Sequence, residues 1–212
     1  MQQCYSKKKK LTVISFIILL MIFFIYLSLH YYENFHAVIP GKVYRSAELN
    51  QNEFIHRVHQ KKLRTVINLR GENEQFEWYR IEKRTLKHLG AHLYNFRLSS
   101  YHLPPKNILQ QLAITLETAP KPILIHCASG IDRTGLASAM VILLHNGTIK
   151  QAKHQLSLIY GDLMPSSAGK LFLKQYTQWL QKNHIHESTA PIFKSWLGID
   201  ENNASILISN KI

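Results

Sequence analysis

The pattern of apolar and polar positions divides the chain into one uninterrupted apolar stretch and a series of short alternating elements. Leu11 through Leu29 carries no charged residue and follows four lysines, Lys7 to Lys10. At about 1.5 Å rise per residue this stretch nearly spans a hydrocarbon layer of roughly 30 Å. Beyond it, residues 33–41 read as a connector ending in Pro40-Gly41, and Lys42 to Arg45 as a short strand. Asn50 is placed to cap a helix over 51–62, with Phe54, Ile55 and Val58 on one face. The spacing predicts a strand over 63–69, a helix over 75–89 stopped by Gly90, a strand over 92–96, a loop over 98–105 and a helix over 107–118. Ile123 to His126 reads as the central strand, followed by helices at about 134–146, 150–160 and 167–183. Strands alternating with helices and a helical C-terminal half indicate an α/β sandwich of a mostly parallel sheet flanked by helices. The tail 184–212 lacks clear periodicity, with Trp196 and Leu197 placed to dock back.

The organisation expected is therefore a basic segment 1–10, a transmembrane anchor 11–32, the connector 33–41, a domain over 42–183 and the tail. A cleaved leader has a shorter apolar core and a small-residue cleavage site, and neither is present here. Tyr26, Tyr31 and Tyr32 fall where aromatic rings favour the membrane interface. Lysines before the span and none immediately after it predict a cytoplasmic N-terminus. The domain then lies on the non-cytoplasmic side, the periplasm in a bacterium.

Net charge changes the picture of the partners. The chain carries +13, and without Lys7 to Lys10 the remainder still has 22 basic against 13 acidic residues. Such a surface favours phosphorylated substrates or acidic headgroups, while no aromatic-interleaved module for specific nucleic-acid binding is visible. The two cysteines, Cys4 and Cys127, lie on opposite sides of the apolar stretch, so no disulfide is expected between them. The pairs His56/His59 and His184/His186 lack a third clustered ligand, and no metal site is expected. Asn146-Gly147-Thr148 and Asn203-Ala204-Ser205 are glycosylation sequons only if the host modifies that side.

The candidate chemistry sits in His126-Cys127-Ala128-Ser129-Gly130-Ile131-Asp132-Arg133-Thr134-Gly135, between the central strand and a helix. A thiol is a good nucleophile as its thiolate, which a helix N-terminus and a nearby cation favour. The amides of 128–133 can form an anion-binding nest, and the planar fork of Arg133 matches the oxygens of a phosphoryl group. Gly130 permits the close approach such a loop needs. Thr134 can hydrogen-bond the sulfur, and His126 is placed to fix the loop rather than to act as an acid. No Gly-Lys-Ser/Thr occurs, which excludes a Walker-type phosphate loop.

His-Cys-x5-Arg-Thr-Gly resembles the active-site loop of the cysteine-based protein tyrosine and dual-specificity phosphatases. Val43-Tyr44-Arg45-Ser46 and Val66-Ile67-Asn68-Leu69-Arg70 are similar to the compact, atypical dual-specificity branch. The resemblance covers about 40–182. It implies Cys127 as the nucleophile of a phosphocysteine mechanism, Arg133 as the phosphate clamp, Thr134 as the helper of the leaving sulfur, and no metal or other cofactor. The family's usual upstream aspartate is missing: Arg97 to His102 holds no carboxylate, and none occurs between Glu82 and Glu117. The candidates for the acid are Asp132, similar to the Asp-Arg-Thr ending of myotubularins and some bacterial lipid-and-tyrosine phosphatases, then Glu72, Glu74 and Glu77, then His102. The function expected is a membrane-anchored phosphatase acting on phosphotyrosine protein or on phosphoinositide-like lipid. A pseudophosphatase that binds phosphorylated partners and a rhodanese-like sulfur carrier are the rivals.

Overall fold

The computed structural model describes residues 2–31 and 33–199, with side chains of the first helix described over 10–26. That helix, α1 (Gln2–Tyr31), is apolar all the way round from Leu11 on, and its described side chains are exposed. Among the described residues no helix is long and apolar enough to cross a membrane; the apolar run Leu11 to Leu29 continues past the last described side chain of α1, Tyr26.

The domain is built on a five-stranded sheet of order β1-β2-β5-β3-β4. β2 (Val43–Ser46), β3 (Thr65–Asn68), β4 (His92–Asn95) and β5 (Ile123–His126) run parallel. β1 (His36–Ile39) adds an antiparallel edge on β2. Successive side chains of a strand face opposite sides, which splits the core in two. Ile123 and Ile125 join Ile67 on the face covered by α4 (Lys106–Thr118), α5 (Asp132–Leu144), α7 (Ala168–Lys182) and α8 (Ala190–Leu197). Leu124 and Val66 join Phe54, Val58 and Leu86 on the face covered by α2 (Gln51–Lys61) and α3 (Glu77–His88). β5 lies between β2 and β3, so its C-terminal end opens at the middle of the molecule. α5, buried on every side from Thr134 to Leu144, continues from there into the core.

Asn50 caps α2 as the spacing indicates: its side chain accepts from Glu53 N while the Glu53 carboxylate accepts from Asn50 N, a reciprocal cap. Three elements differ from the sequence expectation. The stretch 33–41 contains β1, whose only buried side chain is Val38, too brief a signal to register as a strand. The helix expected over 150–160 stops early: α6 spans Ile149–His154, and a separate 3-10 turn covers Leu158–Tyr160. Its continuation is diverted because the Gln155 carbonyl accepts from the buried Arg45 guanidinium at 2.7 Å. In the tail, α8 docks through Phe193, whose ring stands 5.2 Å from Tyr176 and 5.9 Å from Phe172, with Trp196 5.0 Å from Tyr176. Leu197 is buried beside them. Asn203-Ala204-Ser205 and the rest of the tail from residue 200 lie outside the described residues.

Candidate active site

β5 ends at His126, α5 begins at Asp132, and the intervening loop folds over Cys127, which is 1% exposed. The loop's shape is set by what happens to its carbonyls. Glu48 N donates to the Ala128 carbonyl at 3.1 Å. Asn34 Nδ2 donates to the Ser129 and Gly130 carbonyls at 3.1 and 3.3 Å, and Arg45 Nη2 to Gly130 at 2.7 Å. In a trans peptide the N–H points opposite to the C=O. Tying three successive carbonyls outward therefore turns the amides of Ser129, Gly130 and Ile131 toward the space over the sulfur. Gly130 adopts φ +72, and a Cβ there would lie 2.7 Å from Ala47 N and from the Ser46 carbonyl. Only glycine fits this backbone against the end of β2.

The charge around the sulfur favours the thiolate. Burial alone pushes the Cys127 thiol up, but the Thr134 hydroxyl, the Arg133 guanidinium and the amides of Thr134 and Gly130 together hold it below the ordinary thiol range. Thr134 Oγ1 is buried and makes no other hydrogen bond, and Arg133 Nε is likewise buried without a partner. Among the described residues Arg133 has no ion pair. Its guanidinium and the thiol share one anion-ready space.

Asp132 starts α5, half-buried, with Oδ1 buried and unpaired. Burial raises its carboxyl above the usual range, and the nearby Asp162 raises it further against the opposing effects of Arg133 and Lys170. Asp162 is 6% exposed and pairs with Lys170 at 2.8 Å. The other acid candidates are exposed. Glu72, Glu74 and Glu77 are exposed around the start of α3, and Glu74 pairs with Lys83 at 2.5 Å. His102 is exposed and its Nδ1 lies 3.1 Å from Ser99 Oγ, which also accepts from the amides of Tyr101 and His102.

His126 lies behind the loop, fully buried, with Nε2 2.9 Å from Glu82 Oε1. Burial opposes its charge, but Glu82, and then Cys127, outweigh that and raise its pKa above the usual value. Asn68 Nδ2 donates to the other Glu82 oxygen at 3.3 Å, and Phe54 stands edge-on to the imidazole at 5.8 Å. The pair joins β5 to α3 beneath the site.

Several supporting residues escape a reading of the sequence: Asn34, Glu48, Glu82, Gln155, Tyr160 and Asp162. Arg45 stands inside one of the segments that carried the resemblance, but nothing in that segment indicates its role. It is fully buried and spans from the loop to Gln155, with its guanidinium carbon 3.8 Å from the Tyr160 ring centroid. Burial holds its pKa down at about 10. The available signal was that Arg45 falls two positions after Val43, on the same face of its strand. Among the described residues no group of three or more His, Cys, Asp or Glu is placed to hold a metal ion.

Comparison with known proteins places this geometry in a lineage. Residues 29–152 match the model of a tyrosine phosphatase family. The inositol diphosphatase SIW14 of Saccharomyces cerevisiae is 31% identical over 122 residues, covering 55% of this chain and 42% of that protein, so less than half of the relative's length is matched. The crystal structure of the core catalytic domain of the same PP-IP phosphatase, in complex with citrate, shares the fold (TM-score 0.57, 24% identity, 74% of this chain and 96% of that one). So does P. aeruginosa TpbA (TM-score 0.55, 18% identity, 67% of this chain and 84% of that one). The chain belongs to the tyrosine phosphatase family.

Proposed function

We propose that this chain is a membrane-anchored phosphatase that hydrolyses phosphomonoesters of the inositol-phosphate headgroup class through a phosphocysteine. The observation that carries the reading is the loop itself: a thiol held toward its thiolate under three inward amides and an unpaired arginine. The Cys127 thiolate attacks phosphorus, forming the S–P bond as the bond to the leaving oxygen breaks. Arg133 and the amides of 128–133 hold the equatorial oxygens where charge develops. Asp132, whose carboxyl holds its proton to a higher pH than an ordinary aspartate, gives that proton to the leaving oxygen. Water then cleaves the S–P bond, its proton returning to Asp132, while the Thr134 hydroxyl stabilises the departing thiolate.

The anchor reading rests on α1. A helix apolar on every side, with its described side chains exposed, needs an apolar surrounding. Lys7 to Lys10 put the N-terminus in the cytoplasm and the domain on the other side. The basic surface and the inositol diphosphatase relative support a phosphoinositide-like substrate over phosphotyrosine. The test is turnover by the purified full chain on phosphoinositide vesicles, soluble inositol phosphates and phosphotyrosine peptides. The expected result is preference for the inositol class, lost in Cys127→Ser. Preference for the peptides overturns the substrate assignment, and tight binding of any of them without turnover makes the chain a binder instead.

A further inference from the structure

The turn after α6 exposes apolar side chains beside the site. Leu158, Ile159 and Leu163 are 52%, 61% and 78% exposed, while Tyr160 between them is buried. This is not a loosely collapsed loop. The Tyr160 ring lies under the Arg45 guanidinium and edge-on to His36 and His154, at 5.1 and 5.9 Å. Asp162 is buried and pinned by Lys170. With residues 160 and 162 fixed inward, the apolar residues around them are held outward.

The path of the chain puts this turn next to the end of α1. The helix ends at Tyr31, and Asn34 follows three positions later. At 3.8 Å per step, the Asn34 Cα lies within about 11 Å of that of Tyr31. Asn34 is 1% exposed, and the amide that ties the Ser129 and Gly130 carbonyls also donates to the Tyr160 carbonyl at 3.0 Å. One buried side chain, three residues past the helix end, thus ties the chain there to both the phosphate loop and the apolar turn.

The surrounding charge is complementary to an acidic bilayer. From Ile149 to Lys182 the chain carries Lys150, Lys153, Lys170, Lys174 and Lys182 against the single acid Asp162. Lys153, Lys170 and Lys174 line a cavity of about 400 Å³ beside Leu156 and Leu173. Exposed apolar tips within a lysine-rich segment suit the boundary between headgroups and acyl chains, where the stems bury and the ammonium groups meet phosphates.

We propose that the 157–164 turn inserts into the headgroup layer of the bilayer that α1 enters, holding the phosphate loop against an anionic lipid surface. The proposal rests on the anchor reading above, but not on the choice of substrate. To test it, the full chain is reconstituted into phosphatidylcholine vesicles with and without phosphatidylglycerol. A fluorescent amino acid replaces Leu163, or Lys62 as the control, and lipids spin-labelled at headgroup depth serve as quenchers. Lys62 precedes β3 and so lies at the opposite end of the sheet from the loop. The expected result is several-fold stronger quenching at 163 than at 62, greater with phosphatidylglycerol. In Lys153→Glu/Lys174→Glu this difference shrinks, while turnover of a soluble aryl phosphate is unchanged. Equal quenching at 163 and 62 in a chain that floats with the vesicles overturns the proposal alone. A chain that does not float overturns the anchor reading, and the proposal with it.

Discussion

Gly130 has no space beneath it: the end of β2 occupies the volume where a side chain would begin. In Gly130→Ala the loop must lift, moving the amides that face the sulfur. A displacement near 1 Å at such a centre costs on the order of 100-fold in rate, and steady-state kinetics on an aryl phosphate should show it with near-native circular dichroism. Asp132 and Cys127 predict the pH–rate profile. The rate rises as the thiol ionises, at a lower pH than an ordinary cysteine because its pKa is lowered. It falls as Asp132 loses its proton, at a higher pH than an ordinary aspartate because its pKa is raised. Asp132→Asn should remove that descending limb and slow alkyl phosphates more than aryl ones; an unchanged limb removes Asp132 from the acid's role. Cys127, Arg133 and Thr134 were legible because their offsets within one loop carry the chemistry. Asn34, Arg45 and Glu82 were not, because they reach the loop or His126 from 95, 85 and 44 residues away.

Between elements, two buried polar contacts hold the site. His126 and Glu82 bind β5 to α3 at 0% and 2% exposure, and removing one partner of such a pair costs about 3–5 kcal/mol. Because the folded-state pKa of His126 is raised, the stabilisation linked to its protonation is fully present below its unfolded pKa, about 6.5. It is lost as pH rises through the folded value. Urea midpoints should therefore fall over that window, and Glu82→Gln should flatten the trend while lowering stability. Arg45 ties β2 to the loop and to the end of α6. Arg45→Met leaves the buried Gly130 and Gln155 carbonyls short of a donor, at roughly 2–4 kcal/mol, which thermal unfolding should register together with a lower kcat. Elements with strong signals were readable from the sequence: the capped α2 and the fully buried β5 both lie where the pattern puts them. The helix over 150–160 was misread because a helical pattern does not reveal that Arg45 claims the Gln155 carbonyl. Leu158 and Ile159, read as part of that helix, face outward instead.

For the whole molecule, the proposed orientation rests on the charge ahead of the apolar run. Lys7 to Lys10 should keep the N-terminus inside, leaving the domain accessible to protease added outside intact cells, or to the periplasm in a bacterium. Replacing the four lysines with glutamate and adding lysines after Tyr32 should shift the population toward a protected domain. A second consequence of the chain path concerns where the domain can be cut free. The buried amide of Asn34, one of its two N–H groups shared, reaches three carbonyls in two separate segments, yet it stands ahead of the first strand. A soluble fragment beginning at His36 keeps the whole sheet and still loses the wedge that shapes its phosphate loop. Natural shedding by cleavage after Asn34 would likewise release a folded domain with its chemistry impaired, whereas cleavage before Glu33 would release it intact.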